Sequence, residues 1–507
     1  MSVKVLSAAV IGLDCELVEV EVDNSPHGQP GIYIVGLADK AVDESKSRVR
    51  SAIKNSGLDF PRGNVTVNLA PADLRKVGNF YDLPIAVACL EQNEQVDLLN
   101  YRENSLFVGE LSLDGKVRPV SGILSVALMA KNLKIKNIFV PSANAGEACL
   151  VSGSEIYPVE SLGQLIDHLR GAKLIEQAVI SDFDYIAEDD FEYDMAHIKG
   201  QEQAKRALEI AAAGAHNLLM SGPPGSGKTM LAKAMSSILP QMTKEESLEV
   251  TKIYSAAGLL SAKRPLISTR PFRSPHHTAS GIALVGGGAW PKPGEISLAH
   301  RGVLFLDEFL EFPKMVLDNL RQPLEDGIVS VSRATGTLRF PARFVLVAAM
   351  NPCPCGYLSD PDHECSCAPG NIARYQKRAS GPLLDRIDLH LEVPRVKFEK
   401  LESDQLSESS TEIRERVQKA RDVQIERFKN DNLVSNGEMG PQQIRAYCQL
   451  DEVGRQLLRQ AVEKLKLSAR AYHRILKLAR TIADLGGSEN ILTPHLAEAL
   501  QYRQRLE

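Results

Sequence analysis

The 507-residue sequence holds no run near the roughly eighteen consecutive apolar residues that a transmembrane helix needs, so no membrane span is expected. Its opening stretch, MSVKVLSAAVIGLDCELVEV, lacks a sustained apolar region with a small-residue cleavage site. Asp14 and Glu16 interrupt it, and it reads as a folded strand and not a signal peptide. Positive charge is not in excess: the formal net charge is −5, which argues against attachment to nucleic acid by bulk charge but leaves room for a locally basic groove. No internal repeat of roughly 20–50 residues is present. Cysteine is sparse over most of the chain, with Cys15, Cys89, Cys149 and Cys448 each alone. These absences predict a cytoplasmic protein with reduced thiols, in which a cysteine cluster favours metal over disulfide.

What is present is ordinary globular composition, 44% hydrophobic and 24% charged, in a chain long enough for about two to four domains. Residues 1–175 read as an α/β unit, with strands such as VTVNL (65–69) and IKNIFV (135–140) and a helix over Ile123–Lys131. The acidic, weakly patterned stretch SDFDYIAEDDFEYD lies in a linker over 176–196, although its aromatics could dock on a neighbouring element. Residues 197–395 alternate helix and apolar strand, the pattern of a parallel sheet. A polar region, 396–440, reads as a second linker, and 441–507 as all-helical. There Ala471, Ile475, Leu478, Ile482 and Leu485 form an apolar stripe, Gly486-Gly487 ends the helix and Thr493-Pro494 starts the next. Arg474 and Lys477 on another face read as solvated.

The sharpest signal is GPPGSGKT, Gly222-Pro223-Pro224-Gly225-Ser226-Gly227-Lys228-Thr229, with a strand before it and a helix after. Gly225 and Gly227 let the backbone wrap phosphate oxygens, Lys228 reaches the β- and γ-phosphates of ATP, and Thr229 offers its hydroxyl to Mg²⁺. GVLFLDEF (302–309) is an apolar strand ending in two acids: Asp307 to hold magnesium and Glu308 to polarise the attacking water. FVLVAAMNP (344–352) is a further buried strand that brings Asn351 to its tip, suited to orienting that water. Arg386, in SGPLLDRIDLHLEVP (380–394), is a candidate to reach a neighbouring subunit's γ-phosphate; a salt bridge with Asp385 is the alternative. Arg470 is placed to close over the phosphates from the helical region.

P-loop, acid pair, Asn, Arg and a second Arg in a helical lid, in that order, resemble an AAA+ ATPase. RPFRSPHHTASGIALVGGG (270–288) and PKPGEISLAHRGVLFLDE (291–308) look like its magnesium-chelatase branch. With NLAPADLRKVGNFYDLPIA (68–86) and LSARAYHRILKLARTIADL (467–485), the chain resembles the YifB/ComM group of bacterial competence-related ATPases. The resemblance implies a hexameric ring that moves on single-stranded or branched DNA and drives branch migration in transformation and recombination, with recombination proteins as further partners. A chelatase-type or protein-remodelling ATPase is the other reading.

GELSLDGKVRPVSGILSVALMAKNLKIKNIFVPSAN (109–144) resembles the proteolytic domain of Lon, a ribosomal S5-like fold. The place of that family's lysine falls at Leu124, and the turn of its serine nearest Lys76–Asp82, where an aromatic stands, so a Lon-like fold without protease chemistry is expected. Cys353, Cys355, Cys365 and Cys367 have the number and type of ligands for a closed structural zinc site, against a loop with incidental thiols or a redox pair; zinc is favoured, and His363 is an alternative ligand. His276 and His277, adjacent on a strand, should face opposite ways and are read as part of a loop near DNA or a subunit interface. GIVSVSRATGTLRFPAR (327–343) reads as a hairpin, with Arg333 near its tip either gripping phosphate or solvated.

Overall fold

The computed structural model describes residues 2–25, 31–37, 39–76, 78–179, 191–288, 292–333, 336–358, 360, 362–396, 407–431 and 433–503. The chain forms two compact units, one of Met1–Tyr185 with Ser247–Ile267, the other of Ile186–Glu246 with Ser268–Glu507.

The first unit is built on a seven-stranded mixed sheet. Its order is Gly31–Val35, Asn64–Ala70, Asp14–Ser25, Val3–Ile11, Ser105–Phe107, Asn137–Pro141, Glu155–Val159. Val3–Ile11 and Asp14–Ser25 pair antiparallel from Ile11 opposite Asp14 to Val3 opposite Val22. Val18, Val20 and Val22, and on the neighbouring strand Val65, Val67 and Leu69, are fully buried, the period of two that turns one face of a strand inward. The helices Lys40–Asn55, Asp82–Gln92, Ile123–Asn132 and Leu162–Leu169 follow the strands. Two buried carboxylates are fully engaged: Asp82 with Arg48 at 2.6 Å and the Leu111 N–H at 3.1 Å, and Glu147 with Asn144, the Leu124 N–H and the Ser255 hydroxyl. Ser255 belongs to the returning segment 247–267.

The second unit carries a five-stranded, all-parallel sheet in the order Phe272–Arg273, Val303–Leu306, Val345–Met350, Leu218–Ser221, Leu389–Glu392. Its central strands Val303–Leu306 and Val345–Met350 are continuous apolar runs, as strands covered on both faces require. The hairpin is present as Ile328–Arg333 against Gly336–Pro341; the Arg333 side chain lies outside the described residues.

Two expectations are corrected. The span 396–440 is not a linker throughout: Ser410–Arg427 is an 18-residue helix, opened by a Ser409–Glu412 capping box. Ile413, Val417 and Ala420 are buried, and Arg421 donates to the Ala212 and Ala213 carbonyls. Its stripe is thin among charged residues, which is why the sequence pattern looked like a polar connector. Within the first acidic stretch, 180–190 lie outside the described residues; beyond them the aromatics dock, the alternative the sequence left open, with Arg414 over the Phe191 ring and Lys233 over Tyr193, and Asp194 caps the turn Met195–His197. Arg474 and Lys477 are not solvated: Arg474 donates to Asp388 and to the Arg386 carbonyl, and Lys477 to the Gly437 carbonyl.

Candidate nucleotide site

Three neighbouring parallel strands end side by side. Leu218–Ser221 leads into the Gly-rich turn, Val303–Leu306 into Asp307-Glu308 and Val345–Met350 into Asn351, so the carboxyl end of the sheet collects the residues the sequence singled out. Gly225 and Gly227 have φ of +75° and +86°, the left-handed conformations that let the turn curl before the helix Lys228–Ala234 begins. That helix presents its N-terminus to the turn, the arrangement that favours an anion.

The Lys228 ammonium is held by the Gly222 and Pro223 carbonyls, both at 2.8 Å, with Asn351 Oδ1 at 3.5 Å. Burial pulls its pKa below the ordinary lysine value, against the pull of Asp307. The Thr229 hydroxyl donates to Asp307 Oδ2 at 2.7 Å, which brings the two expected magnesium ligands into direct contact across 78 residues of sequence. Glu308 takes a left-handed φ of +49°, uncommon for a residue with a side chain and typical of strained functional positions. Gln201 braces the turn from outside, donating to the Ser226 carbonyl at 2.6 Å.

One neighbour was missed. The strand Phe272–Arg273 has ended before His276 and His277, so the two rings do not face opposite ways but lie 4.1 Å apart. His277 Nδ1 stands 3.1 Å from Glu308 Oε2. The pair sits beside the acid expected to activate water, and no spacing in the sequence signals a contact between residues 31 positions apart.

Arg386 and Arg470 come together, but elsewhere. Arg386 pairs with Glu325 and not with Asp385, and Arg470 reaches the other oxygen of Glu325 at 3.2 Å. Among the described residues neither is joined to Lys228, Asp307 or Asn351 by a hydrogen bond or ion pair.

The four clustered cysteines converge. Their sulfurs all lie within 4.8 Å of one another, with Cys353–Cys355 at 3.4 Å, Cys353–Cys365 at 3.7 Å and Cys355–Cys365 at 3.6 Å. A tetrahedron with Zn–S bonds of about 2.3 Å has edges of about 3.8 Å, so the donor set fits zinc, while a disulfide needs about 2.05 Å. His363 is not a fifth contender: it stacks on Tyr357 at 5.0 Å with Asp360 beside it at 3.8 Å.

Three family models cover most of the chain: magnesium chelatase subunit ChlI over residues 194–401, subunit ChlI of Mg-chelatase over 18–144 and the ChlI C-terminal model over 407–503. The chain is 45% identical over 506 residues to the competence protein ComM of Haemophilus influenzae, covering 98% of this chain and 97% of that one. It is 44% identical over 496 residues to the uncharacterized protein YifB of Escherichia coli, at 98% and 96% coverage. The magnesium-chelatase 38 kDa subunit of Cereibacter sphaeroides matches at 28% over 171 residues, 31% of this chain and 51% of that subunit. With a parallel-sheet core, a helical C-terminal region and relatives matched from end to end, this chain belongs to the YifB/ComM family of magnesium-chelatase-like AAA+ proteins.

Proposed function

We propose that this chain is an ATP-hydrolysing ring motor that acts on single-stranded or branched DNA, a helicase promoting branch migration and the integration of incoming strands. The observation that carries the ATPase part is the Thr229–Asp307 hydrogen bond, with Lys228, Glu308 and Asn351 at the same sheet edge. Thr229 and Asp307 would hold Mg²⁺, Lys228 the β- and γ-phosphates, Glu308 the attacking water and Asn351 its orientation. Arg386 would serve a neighbouring subunit's site and Arg470 its own, each after leaving Glu325. Zn²⁺ in the Cys353, Cys355, Cys365 and Cys367 cluster is structural in this reading.

The DNA part is supported by end-to-end similarity to a competence protein. A cytoplasmic homohexamer working with recombination proteins follows the same reading. The amino-terminal unit is proposed as a Lon-like fold without proteolysis: Leu124 is fully buried, with its N–H on Glu147, and Tyr81 is fully buried in the region nearest the serine turn. The chelatase subunit named by the family models favours a second reading, a remodelling ATPase without DNA motor activity.

Migration of a synthetic four-way junction with ATP separates the two. Wild type should migrate it and Glu308→Gln should not. If wild type neither binds DNA, nor migrates the junction, nor hydrolyses ATP faster with DNA, the remodelling reading takes its place.

A further inference from the structure

The cysteine loop begins two residues after Asn351, and its contacts lead back to the nucleotide turn. Gly356 follows the thiol of Cys355 directly and has φ of +86°. A Cβ there would stand 2.6 Å from Pro224 Cδ and 2.8 Å from its Cγ, with the Asn351 Cγ at 3.8 Å. The loop backbone is therefore pressed flat against the Pro224 ring of the P-loop and the side chain of Asn351, which in turn faces the Lys228 ammonium. Gly356 donates its N–H to the Cys353 carbonyl at 3.0 Å, so the residue that meets Pro224 is fixed by the turn between the first two thiols.

This loop has little apolar core to hold it in place. Cys353 is fully buried, but Pro354, Asp362, His363, Glu364 and Ser366 are exposed. Outside the thiols, its far side is secured by Arg395 Nε on Asp360 at 3.1 Å and by the Tyr357–His363 stack. A segment so poor in buried apolar surface takes its order from what its ligands bind.

We infer that a zinc ion held by Cys353, Cys355, Cys365 and Cys367 positions the P-loop and Asn351 through Gly356, so that metal occupancy sets the affinity of the nucleotide site. The cluster is thereby a positioning device for ATP binding. The inference rests on the nucleotide and zinc assignments proposed above, and the experiment separates their failures from its own.

The test uses the full-length protein and two readouts: zinc per chain, from metallochromic dye after thiol modification, and the Kd of mant-ATP in excess Mg²⁺. Wild type should carry one zinc. Stripping it with a zinc-selective chelator, and gel filtration, should weaken mant-ATP binding about tenfold, and adding back ZnCl₂ should restore it. Cys365→Ser should lose both zinc and affinity. Gly356→Ala should keep zinc and still lose affinity about tenfold, because its Cβ displaces Pro224.

Unchanged Kd in stripped wild type, or in zinc-bearing Gly356→Ala, would overturn the inference while leaving both assignments standing. Wild type without zinc would overturn it together with the zinc assignment alone. Wild type unable to bind mant-ATP would overturn it together with the nucleotide assignment.

Discussion

Lys228 lies with its charge against two backbone carbonyls and one amide oxygen, so its removal costs the site that ammonium. Lys228→Ala should weaken mant-ATP about a hundredfold, the worth of two charge-assisted hydrogen bonds to phosphate, and abolish turnover. Glu308→Gln should retain nucleotide affinity and lose about a hundredfold or more in turnover, read as ATP that stays bound in a single-turnover filter assay. At this scale the site was legible where its chemistry is written in consecutive letters: turn, acid pair and strand-tip Asn need no knowledge of the fold. His277 was illegible because its contact with Glu308 depends on where the chain returns after Phe272–Arg273, which no local pattern encodes. Arg474 was misread for a related reason, since its partner Asp388 sits on a segment 86 residues away.

At the scale of elements, the strand Leu389–Glu392 and the helix Ala469–Leu485 are fastened by a buried polar knot. Burial works against the charged form of Asp388, but Arg474, His216 and the Asn217 N–H outweigh it and hold the carboxyl well below its ordinary range. A depressed carboxylate contributes stability above its unfolded pKa near 3.9 and loses it as pH falls further. His216 and His390 act in the same direction at higher pH: burial lowers both, His390 to about 4, so each favours folding above its unfolded value near 6.5 and disfavours it below. Thermal scans should therefore show Tm falling from about pH 6.5 downward, in two stages. Arg474→Ala should lower stability by about 3 kcal/mol at pH 7, because it leaves Asp388 buried without its cation, and should flatten the stage below pH 4. The alternation of strand and helix announced the parallel sheet, since buried strands are continuous apolar runs. The helix Ser410–Arg427 escaped because tertiary contacts, and not a broad apolar face, hold it: Arg421 and Gln424 both donate to the Ala213 carbonyl.

At the scale of the whole molecule, the proposed ring makes Arg386 a residue that works across a boundary. Arg386→Ala should bind mant-ATP as wild type does and lose about a thousandfold in turnover. Mixing it with Lys228→Ala protein should then restore turnover, as sites pair an intact loop with an intact arginine. Equal loss of binding and turnover in Arg386→Ala would mean that the pairing with Glu325 is only structural. Binding to DNA should fall steeply as salt rises, despite a net charge of −5, since local phosphate contacts and not overall charge set that slope.

The path of the chain has one more effect. It completes most of the first unit by Tyr185, builds part of the second, and returns over Ser247–Ile267 to finish the first. A fragment ending at Tyr185 would leave Glu147 buried without the hydroxyl of Ser255, so the first unit is not an excisable module. A single protease cut between the units near 185 would sever the chain without freeing the amino-terminal piece, because the remaining polypeptide supplies that piece's missing part. The two products should co-elute under native conditions and separate only in denaturant, behaving as a split protein that reassembles itself.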